Sequence, residues 1–143
     1  MPVTGKPVPV NDGIMLSVHR VIAAPPQALW ELLVDLDAWP RWGPTIARAE
    51  LDPPYRELEL GATGSVQTPL LVGAPFVVTE FDPGRFWAWK IGGQVAAIPA
   101  TSHRVDPTPG GARVTMAVPW WAGPYLSICS IALRRMEKMV GAG

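Results

Sequence analysis

At 143 residues and 15.4 kDa, the chain is long enough for one domain with its own core and too short for two full ones. Twelve Lys and Arg balance twelve Asp and Glu, and the two signs are interspersed, which argues against a phosphate-tracking nucleic-acid binder. Hydrophobic residues at 48% and a mean hydropathy of +0.18 call for a rich core or for apolar surface facing a cavity or a partner.

Residues 1–12 read as a flexible, Pro-rich lead-in without a signal-peptide core, and 13–143 as a single domain. From Ile14 to Ala23 the branched residues alternate, predicting a first strand that ends at Pro25-Pro26. Proline is tolerated in a first helical turn, where its missing N–H would be unpaired in any case. It introduces QALWELLVDL, whose Leu29, Leu32, Leu33 and Leu36 fall at i, i+3, i+4 and i+7 and give an amphipathic helix. The run DLDAWPRWGP turns the chain, with Asp37 as the expected cap of a second short helix around Trp39 to Trp42.

Six strands are then predicted: Thr45 to Leu51, Gly64 to Thr68, Phe76 to Phe81, Arg85 to Ile91, Val95 to Val105 and Ala112 to Val118. Asp82-Pro83-Gly84, Gly92-Gly93 and Pro109-Gly110-Gly111 are hairpin connections, so consecutive strands form an antiparallel meander. Alternation places Trp87, Trp89 and Ile91 on one face and Phe86, Ala88 and Lys90 on the other. A helix from Gly123 to Val140 carries Tyr125, Ile128, Cys129, Ala132, Met136 and Met139 along one stripe. The longest apolar stretch, Val118 to Leu133, is interrupted by Pro119, Gly123 and Pro124 and is too short to span a bilayer. No stable membrane insertion is expected.

Three segments carry a family resemblance. VHRVIAAPPQALWELLVDLDAWPRWGP resembles the opening of the START-like (SRPBCC) superfamily, in particular its polyketide cyclase/dehydratase-like branch. FDPGRFWAWKI and SHRVDPTPGGARVTMAV resemble two later hairpins of that family, so the likeness runs from about Ser17 to Met139. It implies an α+β helix-grip fold, with a curved antiparallel sheet around a long C-terminal helix and two short helices after the first strand. It also implies a cavity between sheet and helix, which members use to bind lipids, sterols, polyketides or plant hormones and, in a minority, for cyclisation or dehydration.

His103 is the candidate catalytic or ligand-orienting residue, on the same strand parity as Thr101 and Val105, because imidazole titrates near neutrality. Trp87, Trp89, Met116, Trp120, Trp121, Tyr125, Cys129 and Met136 are the expected apolar lining, with Gln67, Thr101 and His103 as its polar groups. Cys129, the only cysteine, sits in the helix stripe without an activating base and reads as a core thiol. A single cysteine allows no intramolecular disulfide and matches a cytoplasmic location. Two histidines without ligand-spaced Cys or carboxylates make no metal site, and the glycines match no cofactor-binding spacing, so no cofactor is expected. Three functions remain open. One is a carrier or sensor of a hydrophobic small molecule; a second is a cyclase or dehydratase with His103 as acid/base and Tyr125 or Gln67 polarising a carbonyl. The third is an interaction module, including a homodimer, built on the apolar region Pro119 to Leu133.

Overall fold

In the computed structural model, which describes residues 8–10, 13–70, 72–92 and 99–141, the alternating segments pair into one antiparallel sheet. Its strands are β1 (Val8–Val10), β2 (Gly13–Ile22), β3 (Arg48–Leu51), β4 (Thr63–Gln67), β5 (Gly73–Asp82), β6 (Phe86–Ile91), β7 (Ser102–Thr108) and β8 (Gly111–Pro119). Their order across the sheet is β1-β2-β8-β7-β6-β5-β4-β3. From β3 to β8 every strand pairs with its neighbour in sequence. Only β2 pairs out of sequence, with β8, and the helices α1 (Pro26–Val34) and α2 (Trp39–Trp42) lie in the connection from β2 to β3 at the far edge of the sheet. A 3-10 segment (Trp120–Tyr125) leads into α3 (Leu126–Gly141), which packs against β2, β8, α1 and α2. The architecture is the helix-grip α+β fold: a curved antiparallel sheet grips one long C-terminal helix.

Period-two alternation decides which side chains meet under the helix. Register pairs Trp87 with His103, His103 with Met116 and Met116 with Val18, and all four are buried. A cross-strand row of this kind is the unit of sheet packing. In β5 a bulge between Val78 and Glu80 inserts one residue and so reverses the parity. Phe76 and Phe81, which a regular strand would put on opposite faces, therefore both turn inward: Phe76 packs on Trp89 at 5.2 Å and Phe81 on Trp30 at 5.7 Å between ring centroids. Glycine is required at position 64. A Cβ there would collide with the Glu50 carbonyl oxygen and lie 2.6 Å from the Phe76 ring. Gly64→Ala is expected to cost about 2 kcal/mol through overpacking, read as a fall in the urea midpoint at unchanged slope.

Several sequence expectations shift. The lead-in contributes an edge strand, in which Val8, Pro9 and Val10 pair with Met15, Ile14 and Gly13. Asp37 is not the cap of α2: that position is Ala38, without a side-chain hydrogen bond, while the Asp37 amide donates to Asp35 Oδ1 at 3.0 Å. The fifth of the six predicted strands begins at Ser102, and its residues 95–98, like Gly93, lie outside the described residues. The final helix starts three residues later than predicted, because Pro119 and Pro124 bracket a 3-10 turn containing the non-helical Ala122. Its buried face is Leu126, Cys129, Ala132, Leu133 and Met136, so Leu126 and Leu133 are core residues while Tyr125, Ile128 and Met139 sit at its margin. Arg20, on the inward parity of β2, clips α3 to the sheet by donating to Glu137 Oε1 from Nε at 3.0 Å and from Nη2 at 2.8 Å.

Candidate ligand-binding cavity

Where α3 begins, the inward side chains of β6, β7 and β8 do not meet the helix completely. Trp87, Trp89, Thr101, His103 and Met116 on the sheet side, and Tyr125 and Cys129 on the helix side, surround a cavity of about 30 Å³. These seven predicted residues come together. Four others do not line it. Gln67 sits on the opposite strand parity to the buried Gly64, Val66 and Thr68, and Met136 is buried further along α3. Trp120 and Trp121 are 63% and 61% exposed, because the proline-bracketed 3-10 turn presents both indoles outward. The site also has a wall that sequence reasoning read only as a short helix where the chain turns. Trp39, Trp42 and the loop 43–46 close the cavity from below, and the signal was the Trp-x-x-Trp spacing that puts both indoles on one side of α2.

The walls form an aromatic cluster. Trp39 stacks on Trp87 at 5.4 Å with 10° between planes, and Trp87 stacks on His103 at 4.0 Å with 20°. Trp89 stands edge-on to Trp39 and to Trp87 at 5.3 and 5.6 Å. Edge-to-face and offset-stacked pairs satisfy the ring quadrupoles. The indole N–H groups divide into two kinds. Trp39 and Trp42 donate to the carbonyl oxygens of Leu33 and Leu32 at 2.9 and 2.8 Å, pinning α2 to the end of α1. Trp87 and Trp89 Nε1 are buried with no hydrogen-bond partner, a state that native interiors seldom leave without a water or ligand.

The remaining polar groups have defined roles. His103 is 3% exposed, and its Nδ1 lies 3.3 Å from the Trp87 carbonyl oxygen. A carbonyl only accepts, so Nδ1 carries the hydrogen and Nε2 holds a free lone pair. Burial lowers the His103 pKa to about 3, and the hydrogen bond to Trp87 only partly opposes that shift. The ring is therefore neutral at physiological pH and only weakly basic. Thr101 Oγ1 donates to the Pro99 carbonyl at 2.8 Å. Tyr125 Oη and Thr45 Oγ1 lie 2.6 Å apart, closing the cavity between the loop after α2 and the end of the 3-10 segment. Burial pushes the Tyr125 hydroxyl and the Cys129 thiol each up to about 12, so both stay protonated and Cys129 is no nucleophile. His19 has the opposite strand parity to the inward Val18 and Arg20 and lies outside this site.

The cavity is largely apolar, and the two unpartnered indole donors and the neutral imidazole belong to residues of its wall. It suits an uncharged guest that bears one hydrogen-bonding oxygen and has little means of moving protons near neutrality.

The same fold recurs in solved structures of low sequence similarity. Protein MLL2253 from Mesorhizobium loti is 16% identical with a TM-score of 0.70, over 90% of this chain and 97% of that one. Ms6760 from Mycobacterium smegmatis is 18% identical with a TM-score of 0.63, over 99% of both chains. Protein CV1439 from Chromobacterium violaceum is 18% identical with a TM-score of 0.62, over 88% and 96%. No curated protein matches the chain. A family model described as polyketide cyclase / dehydrase and lipid transport matches residues 14–135, a span that holds the whole sheet beyond β1, both short helices and the cavity-lining part of α3. The chain belongs to this polyketide cyclase/dehydrase and lipid transport family.

Proposed function

We propose that this protein binds a hydrophobic small molecule carrying one hydrogen-bonding oxygen, as a carrier or sensor, in the cavity between its sheet and α3. The observation that carries the reading is the pair of buried, unpartnered indole N–H groups of Trp87 and Trp89 in an otherwise apolar wall. A ligand carbonyl or hydroxyl would relieve them, and family membership supports a hydrophobic ligand. In its closed state the cavity has room for about one water, whereas a ligand needs about 300 Å³ or more. Entry therefore requires a wall to yield. One such wall is the loop 43–46, which the Thr45–Tyr125 hydrogen bond joins to the 3-10 segment. The depressed basicity of His103 favours binding over acid–base chemistry.

Native mass spectrometry of the purified protein, followed by organic extraction, should reveal a bound neutral species. A matched pair of probes tests the polar anchor. 2-Acetylnaphthalene should bind about 3- to 10-fold more tightly than 2-ethylnaphthalene, the range set by one net hydrogen bond. The preference should vanish in the Trp87→Phe, Trp89→Phe double variant, which keeps the apolar rings. Equal binding of both probes by the wild type would remove the anchor, and binding of neither, with no extracted ligand, would remove the function.

A further inference from the structure

One end of the molecule is unlike the other. The antiparallel register brings the starts of β2, β3, β5 and β7 and the ends of β4, β6 and β8 to a single end of the sheet, and the 3-10 lead into α3 leaves from that end. Among the described residues seven large hydrophobics are exposed, and five belong here: Trp120 (63%), Trp121 (61%), Leu70 (85%), Val72 (49%) and Ile14 (47%). The other two, Val21 and Leu60, lie at the opposite end.

Charge follows the same division. At the apolar end the connections 43–47, 68–72 and 120–125 contain no Asp, Glu, Lys or Arg. At the opposite end the connection 52–62 carries Asp52, Arg56, Glu57 and Glu59, and the β5–β6 turn carries Asp82 and Arg85. The charges nearest the apolar end are Asp12 in the β1–β2 connection, the exposed Arg41 just before the connection 43–47, Arg48, which is ion-paired with Glu50 at 3.6 Å, and Lys90, the penultimate residue of β6.

We propose that this end is a docking tip for the surface of a zwitterionic phospholipid bilayer, with Trp120 and Trp121 as the main anchors and Leu70 and Val72 as a second one. Two observations select that partner. Uncharged connections offer nothing to a strongly charged surface, whereas tryptophan, with an apolar body and one N–H, suits the headgroup boundary. The exposed groups form two separate projections, one after β8 and one at the β4–β5 hairpin, which lie towards opposite sides of the sheet. A fluid surface conforms to such projections, while a folded partner needs matching sockets. The tip also surrounds the cavity wall at Thr45 and Tyr125, where an apolar ligand passing between bilayer and interior would cross.

The experiment is flotation of the full chain with phosphatidylcholine vesicles, paired with quenching of its tryptophan emission by brominated phosphatidylcholine. The wild type is expected to float at both low and high salt, and Trp120→Ala with Trp121→Ala to reduce partitioning about tenfold or more and to abolish the quenching. The same pair of substitutions should leave the melting temperature unchanged, since both side chains are exposed. Leu60→Ala, at the opposite end, should float as the wild type does. The proposal is overturned if the wild type does not float, if it floats only on anionic vesicles in a salt-sensitive way, or if the double variant floats unchanged. It is equally overturned if sedimentation shows a dimer that the double variant abolishes, because a second copy then covers the tip. Probe binding in lipid-free solution is read separately, so loss of the cavity function and loss of the docking tip give different results.

Discussion

Replacing Trp39 with alanine is expected to destabilise the protein by about 4 kcal/mol, within the range for deleting a large buried aromatic side chain. Trp39 is fully buried and is the hub of the aromatic cluster, touching the rings of Trp87, Trp89 and Phe76 at 5.4, 5.3 and 5.8 Å. Three sources of loss act together: the apolar area returned to water, the void left among rings that strands hold in place, and the Leu33 carbonyl deprived of its indole donor. The void would join the existing cavity of about 30 Å³. The variant should therefore bind free indole, which should recover part of the lost stability in urea titrations. A loss below about 1 kcal/mol, or no response to indole, would show that the cluster collapses around the gap and is no rigid frame for a site.

Acidification should unfold the protein through His103, and the sign follows from proton binding. Its pKa is about 3 in the folded state against 6.5 unperturbed, so between those values the unfolded chain binds a proton that the native chain refuses. Stability then rises with pH across the window: the His103 contribution is fully present above pH 6.5 and is lost as pH falls to about 3. The slope approaches about 1.4 kcal/mol per pH unit, and the whole window amounts to roughly 5 kcal/mol. Little screening applies to a ring 3% exposed. Urea unfolding of wild type and His103→Leu at several pH values between 7 and 4 checks this. Wild-type stability should fall relative to that of the variant by about 3 kcal/mol between pH 6.5 and 4. Parallel curves would mean that water already reaches the imidazole in the native state. His19, whose pKa is lowered by burial and then by the Arg113 charge, biases both proteins in the same sense and cancels in the comparison.

The two predictions meet at one row of residues, and that row was partly legible in advance. Alternation in β6 and β8 identified Trp87, Trp89 and Met116 as inward, and shared parity put Thr101 and His103 with them, because a strand offers a side chain only two directions. The bulge at Val78/Glu80 was not legible. Nothing in the run Phe76–Phe81 marks where an extra residue enters, so Phe81 reads as facing outward until its partner strand is seen. The helix stripe was read one step to the side, with Tyr125 and Ile128 central. Leu126 and Leu133 are equally apolar, and only the position of the sheet chooses between adjacent stripes.

Tryptophan illustrates the same division. Seven were visible in the composition, but their roles depend on what lies opposite them. Trp39 and Trp42, read as part of a short helix where the chain turns, are cavity walls because α2 folds back under the sheet. Trp120 and Trp121, read as lining, are solvent-facing because Pro119 and Pro124 impose a 3-10 turn before α3 begins.

The sequence by itself determined the order of elements, the hairpin connections, the helix-grip class and the inward face of most strands. All of these follow from local periods, turn residues and a segment-by-segment family likeness. Only the tertiary structure decided how large the cavity is, which indoles keep an unused N–H, and that His103 stays neutral. It also decided which apolar side chains remain in water at the end of the sheet. Each of these depends on side chains from elements distant in sequence filling or failing to fill the same space, and no local pattern carries that sum.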